Sequence, residues 1–252
     1  MQRILLSLLA SGLMGLTSST AEAKDSDSGL LTRTVTVGKS SYSYQIYVPA
    51  KLRGQEKVPV ILFLHGIGQR GEGGFVPRDG VGGAMVRRYL EQMPAIVVLP
   101  QCRKGNYWSD PEMDRMVMAT LKETVAEFKG DTERVYLIGV SMGGYGAWHI
   151  AAEHAGVFAA IVPICGGSPL RTPDRFKETA RRVGQTPVWV FHGSEDRVVP
   201  VTESRGMVEA MRELKGNVRY NEYKGVGHNV WLNALQEQEL LPWLLSQRRT
   251  VQ

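Results

Sequence analysis

Cysteine is scarce in this sequence: its 252 residues hold two, Cys102 and Cys165, so at most one disulfide can form. A concentrated basic region is missing as well. The formal net charge of +5 is not gathered into any dense Lys/Arg cluster, so it describes a mildly basic surface and speaks against nucleic-acid or membrane partners. Beyond residue 23 no stretch is long and apolar enough to span a bilayer, which predicts a soluble mature protein. Internal repeats, low-complexity tracts and linkers are also absent. With 43% hydrophobic and 22% charged residues, the chain has the composition of an ordinary globular protein. Its length suits one large domain with an ample core.

The beginning of the chain differs from the rest. Arg3 supplies a short positive start, residues 4–16 are mostly apolar, and Ala21-Glu22-Ala23 is an A-x-A cleavage pattern. The apolar run is short for a membrane span. The pattern predicts a signal peptide over residues 1–23, a single catalytic domain over 24–252, and a secreted or periplasmic protein.

Two alternating segments, Leu31 to Val37 and Tyr42 to Val48, flank Gly38-Lys39-Ser40 and predict an antiparallel hairpin. Short continuous apolar runs follow, at residues 58–64, 95–99, 135–138, 159–164 and 188–191. They suit strands buried on both faces of a parallel sheet. Residues 218–223 are the last strand candidate. One helix carries the stripe Met113, Val117, Leu121, Val125 and Phe128, opening at Pro111 and stopping before Gly130. Further helices are predicted at residues 84–93, 143–154, 173–183, 204–214 and 231–245. A hairpin followed by alternating strands and helices means an α/β class, with a mostly parallel sheet and helices on both faces.

The chemistry centres on Gly139-Val140-Ser141-Met142-Gly143, a G-x-S-x-G motif. A strand pattern runs into it and a helix pattern leaves it. A sharp strand-to-helix turn lifts a serine hydroxyl above a sheet, and small neighbours relieve the crowding. The helix N-terminus also favours the negative charge that develops during attack. Of five histidines, only His228 follows every plausible acid loop, which suits the order nucleophile, acid, histidine. His149 and His154 fall inside the helix after Ser141, and His192 is expected to brace the acid loop. The acid should follow the next-to-last strand, where Asp196 is the first choice and Glu195 the runner-up. It would hold the imidazole in the needed tautomer and stabilise its charged form. For an oxyanion hole, the backbone N–H groups of Met142 and Ile67 occupy the two expected places.

A rival motif lies in the same region. Gly66-Ile67-Gly68-Gln69-Arg70-Gly71 matches G-x-G-x-x-G, the dinucleotide fingerprint. It follows the third strand candidate instead of the first. A Gly-rich loop, Gly71 to Gly83, stands where a helix should open. Glu91 lies in a helical pattern, so the acidic residue expected at a strand end is missing.

Together the segments LFLHGIGQRG, LPQC, GVSMGGYGAW, PICGG, VFHGSEDRVVP, GVGHN and WLLSQRR resemble, over about residues 30–248, the bacterial carboxylesterases of the phospholipase/carboxylesterase and feruloyl-esterase-like group, with relatives labelled predicted peptidases. The resemblance implies an α/β-hydrolase fold, with an eight-stranded sheet in the order 1-2-4-3-5-6-7-8. It implies hydrolysis of carboxylic esters without metal or cofactor, and the roles above for Ser141, Asp196 and His228. That strand order puts Cys102 and Cys165 roughly 14 Å apart. A disulfide needs Cα atoms within about 7 Å, so two free thiols are expected. Only residues 166–186 separate the sixth strand from the next, which leaves no room for a substantial cap domain. An open site suits small or polymer-linked esters. Trp108 and Trp231 are candidates for its pocket.

The leading expectation is a serine ester hydrolase working through an acyl-enzyme on short-chain or aryl esters. A serine peptidase on the same triad and a catalytically silent binding protein are the alternatives. A nucleotide-dependent oxidoreductase is the weakest reading.

Overall fold

The structure, a computed structural model, describes residues 28–52, 54–73 and 93–249. The predicted signal peptide and almost all of the helix expected at 84–93 lie outside the described residues. The alternating segments form β1 (Gly29–Val37) and β2 (Ser40–Val48), paired antiparallel from Gly29 opposite Val48 to Val37 opposite Ser40. Gly38 turns the chain at φ +62°, the left-handed geometry that a two-residue hairpin loop needs at its first position.

The remaining strands are β3 (Val58–Leu64), β4 (Ile96–Leu99), β5 (Gly130–Val140), β6 (Ala160–Ile164), β7 (Val188–Gly193) and β8 (Val218–Tyr223). They give one eight-stranded sheet in the order β1-β2-β4-β3-β5-β6-β7-β8. β2 meets β4 antiparallel, and every later pairing is parallel. This is the expected α/β-hydrolase order. All seven residues of β3 are buried because both sheet faces are covered. Pro59 cannot donate to a ladder, and the β3–β5 register shifts between Val58 and Val60 at that residue.

Six helices are described: α1 (Pro111–Glu127), α2 (Met142–Glu153), α3 (Arg175–Val183), α4 (Thr202–Glu213), α5 (Trp231–Ala234) and α6 (Leu240–Ser246). Period-2 alternation splits the core between the faces. Val60, Leu62 and Leu64 join Met113, Val117, Trp148, Val183 and Met207, so α1 to α4 cover one face. Ile61 and Phe63 join Ala234, Leu240, Trp243 and Leu244, so α5 and α6 cover the other.

One expected element is corrected. Residues 231–245 are not one helix but α5 and α6 with a break between them. Pro242 explains it: in a continuous helix its ring would clash with the carbonyl of residue 238, whereas in the first turn of α6 it is tolerated. Between β6 and β7 only α3 and its flanking loops are present, so no cap domain is inserted there. Both cysteines are buried and unpaired. Among the described residues no helix is long and apolar enough to cross a membrane.

Candidate active site

Ser141 sits between the end of β5 and the start of α2 at φ 57°, ψ −116°. That backbone conformation is costly for any residue with a Cβ. The sharp turn requires its glycines. A Cβ on Gly139 would collide with the carbonyl of Gly143, and a Cβ on Gly143 would collide with the carbonyl of Leu64. Strand β3 therefore passes directly beside the turn, and the loop after β3 is delivered to Ser141. A Cβ placed on Gly66 would stand 3.7 Å from that of Ser141.

The two other chemical residues come from loops after β7 and β8. His228 Nε2 lies 2.9 Å from Ser141 Oγ. On its other side, His228 Nδ1 lies 2.7 Å from Asp196 Oδ2. A carboxylate can only accept, so Nδ1 carries the proton and Nε2 is free to accept from the Ser141 hydroxyl. The Asp196 side chain is fully buried, whereas Glu195 is exposed and only its backbone turns inward, donating to Val226 O. Of the two adjacent carboxylates the structure brings Asp196 to His228. Burial works to raise the Asp196 pKa, but bonds from His228 and the amides of Val199 and Val198 outweigh it, and the net shift is downward.

The loop after β3 is fixed by His65. Its Nδ1 lies 2.7 Å from Gly66 O, a pure acceptor, so that nitrogen is N–H; Nε2 then accepts from Cys102 N at 3.1 Å. Burial lowers the His65 pKa to about 4, so the ring stays neutral. Trp108 Nε1 donates to His65 O at 3.0 Å. The chain leaves this brace into a 3-10 turn, Ile67–Gln69. Ile67 opens that turn and Met142 opens α2, so both N–H groups lie at positions without an intrahelical acceptor.

Ser141, Met142 and Ile67 share one open cleft of about 970 Å³. Its walls include Tyr107, Tyr145, Leu170 and Val198, none of which the sequence singled out. Tyr145 carried one signal: it stands four residues after Ser141 on the following helix, hence on the same side. Trp108 reaches the cleft but is a buried core residue, 1% exposed. Trp231 is not one of the walls. It packs edge-on to the His228 ring at 5.6 Å, behind the imidazole. His149 and His154 lie away from the cleft, with Nε2 atoms 3.2 and 2.8 Å from Asp114 of α1.

Cys165, Asp196 and His228 place a sulfur, an oxygen and a nitrogen within 4.8 Å of one another. This grouping does not fit a metal. Asp196 and His228 already satisfy each other, and burial pushes the Cys165 pKa up, so it remains a thiol. The G-x-G-x-x-G segment is likewise accounted for. It opens a 3-10 turn against the serine rather than the helix of a nucleotide site.

Residues 108–239 match the phospholipase/carboxylesterase family. A bifunctional acetylxylan esterase/xylanase from Neocallimastix patriciarum is 27% identical over 173 residues, 67% of this chain and 23% of that protein. NocK of Nocardia uniformis subsp. tsuyamanensis, an esterase by name, is 28% identical over 182 residues, 69% of this chain and 51% of that protein. The chain thus spans about half or less of these curated relatives. Among solved structures, a thermostable esterase superposes with a TM-score of 0.77 at 31% identity, covering 87% of this chain and 63% of that one. A feruloyl esterase module from Clostridium thermocellum, complexed with sinapinate, shares the fold at a TM-score of 0.69 and 16% identity, covering 88% of this chain and 90% of that one. With a match over more than half its length, the chain belongs to the phospholipase/carboxylesterase family and has the α/β-hydrolase fold.

Proposed function

We propose that the chain is a serine-dependent carboxylic ester hydrolase that forms an acyl-enzyme on short-chain or aryl esters. The carrying observation is the continuous chain of bonds Ser141–His228–Asp196, at 2.9 and 2.7 Å, opening into the cleft. Ser141 Oγ attacks the ester carbonyl carbon while its proton moves to His228 Nε2. The carbonyl oxygen, now an oxyanion, is bonded by the N–H groups of Met142 and Ile67. As the C–O bond breaks, the departing alkoxide takes the proton from Nε2, which leaves the acyl group on Oγ. Water then repeats the sequence: its proton goes to Nε2, its oxygen to the carbonyl carbon, and the proton returns to Oγ as the acid leaves. Asp196 keeps its charge throughout and holds the imidazolium.

The cleft supports the substrate class. Six large hydrophobic residues are notably exposed among the described residues, and Ile67, Tyr107 and Val198 are three of them, all at this cleft. Tyr107 and Tyr145 offer aromatic walls for an aryl group. The short segment between β6 and β7 leaves the site open, which suits an ester attached to a polymer as well as a free one. No cofactor, nucleic acid or stable membrane association is invoked. Residues 1–23 are proposed to direct export and be removed, so N-terminal sequencing of exported protein should begin near Lys24.

The functional test measures kcat/KM over p-nitrophenyl esters from acetate to palmitate, with methyl ferulate and a peptide anilide alongside. Short or aryl esters should lead, and Ser141→Ala should abolish turnover by about 10⁴-fold or more. A peak at palmitate, a dominant anilide rate, or turnover surviving in the Ser141 variant would overturn the reading.

A further inference from the structure

We infer that His192 is a positioning residue for the proposed reaction: it turns its Nε2–H toward Oδ2 of Asp196, the oxygen that His228 also binds, and so sets how strongly that carboxylate supports the base. The inference rests on the assignment of Asp196 and His228 as acid and base.

His192 lies near the end of β7 and is wholly buried, like the Asp196 side chain. Its Nε2 lies 2.9 Å from Val199 O and 3.3 Å from Asp196 Oδ2. Both are acceptors only, so Nε2 must carry a proton. Nδ1 lies 2.7 Å from Ser204 Oγ at the start of α4, a hydroxyl that also lies 2.9 Å from Gly166 O; with the ring neutral and Nε2 protonated, the Ser204 proton turns from Gly166 O to Nδ1. Burial lowers the His192 pKa, which favours the neutral ring. Asp196 is therefore shared between two imidazoles. Its Oδ1 accepts from Val198 N and Val199 N at 2.9 Å each, and its Oδ2 accepts from His228 at 2.7 Å and faces the Nε2–H of His192 at 3.3 Å, a proton whose nearer acceptor is Val199 O.

Few other ionisable groups face this array. Glu222, opposite His192 on β8, is taken by Arg205 and Tyr220. Glu203 on α4 is taken by Arg175, and Cys165, facing Asp196 from the end of β6, is a thiol. Among the described residues, the second imidazole thus separates this acid from a carboxylate held only by its own loop and its base.

The sign follows directly. A donor on Asp196 Oδ2 draws charge from the oxygen that faces His228. Without it the carboxylate stabilises the His228 imidazolium more, and the pKa of the base rises. Hydrolysis needs that imidazole neutral, so the acid limb of the kcat/KM profile should move to higher pH.

The experiment has two parts. In wild-type protein, ¹⁵N-resolved imidazole NMR should show His192 with a proton on Nε2. A neutral ring protonated on Nδ1 would overturn the inference, and this readout needs neither a variant nor turnover. The second part compares pH profiles of p-nitrophenyl acetate hydrolysis. His192→Phe keeps the ring volume but removes the donor, and should raise the acid limb by about half a pH unit or more. His192→Gln places an amide N–H where Nε2 stood and should keep the limb at its wild-type position. A folded His192→Phe enzyme that loses kcat with its limb unmoved would leave His192 a packing residue and overturn the proposal. Failure of the esterase reading is distinguishable: wild-type protein would not turn over the ester, or Ser141→Ala would retain activity, whichever tautomer His192 shows.

Discussion

The backbone at Ser141 stores strain, and two inactive variants should reveal it. Ser141→Ala and Ser141→Gly both remove Oγ and its bond to His228, so that loss cancels between them. Only glycine also removes the Cβ that makes φ 57°, ψ −116° unfavourable. A side-chain-bearing residue held in such a region costs about 1–3 kcal/mol. Against this, glycine loses about 0.5–1 kcal/mol more than alanine in chain entropy on folding. The net expectation is that the glycine variant is the more stable by about 1 kcal/mol. For a domain of this size that corresponds to roughly 2–4 °C in Tm. Urea and thermal unfolding of the two variants under one set of conditions provide the measurement. An alanine variant as stable as the glycine variant, or more so, would refute the claim that the serine is held under strain.

Asp196→Asn should lower kcat by several orders of magnitude, on the order of 10⁴ in triads of this kind, whereas exposed Glu195→Gln should change it less than about twofold; a reversed ranking in steady-state assays would move the acid role to Glu195. His65 makes stability depend on pH. Its folded pKa of about 4 lies below its ordinary 6.5, so the unfolded chain binds the proton first. Its contribution is complete above 6.5 and is lost as pH falls through that window toward 4, by about 3 kcal/mol in all. Urea midpoints at pH 7.5, 5.5 and 4.5 should therefore fall more steeply for wild type than for His65→Asn, and parallel slopes would contradict the assignment.

Much of the site was legible because its chemistry constrains chain order. Ser141 announces itself through two glycines that cannot be larger, Gly139 against the carbonyl of Gly143 and Gly143 against that of Leu64 in β3, and His228 was the one histidine beyond every acid loop. The covered strands β3, β6 and β7 read clearly because burial on both faces removes polar alternation. β5 runs longer than its apolar stretch, since Asp131 to Arg134 are polar residues carried in the same strand. Asp196 and Glu195 could not be separated by position. What separates them is the turn closed by Asp196 N on Gly193 O, a backbone feature that composition does not encode. The break between Ala234 and Leu240 was signalled in the sequence by Pro242 just beyond it, but the apolar spacing across it suggests one continuous helix. The walls Tyr107, Leu170 and Val198 carry no periodic or chemical mark. Tertiary folding alone brings them to Ser141.

The segment between β6 and β7 has a consequence for how such an enzyme diversifies. It has an internal anchor and an external one: the buried Ser168 hydroxyl is bonded to Arg175 O, Thr179 Oγ1 and Leu170 N, and Arg175 is clamped bidentately to Glu203 of α4. Between these anchors, Pro169 to Thr172 face the cleft from partly or fully exposed positions and supply none of the Ser141–His228–Asp196 bonds. This part of the cleft wall is thus encoded apart from the loops that carry Ser141, Asp196 and His228. A library that randomises residues 169–172 while holding Ser168, Arg175, Thr179 and Glu203 fixed explores new acyl and alcohol preferences without spending variants on broken catalysts, and a natural lineage has the same route open to it.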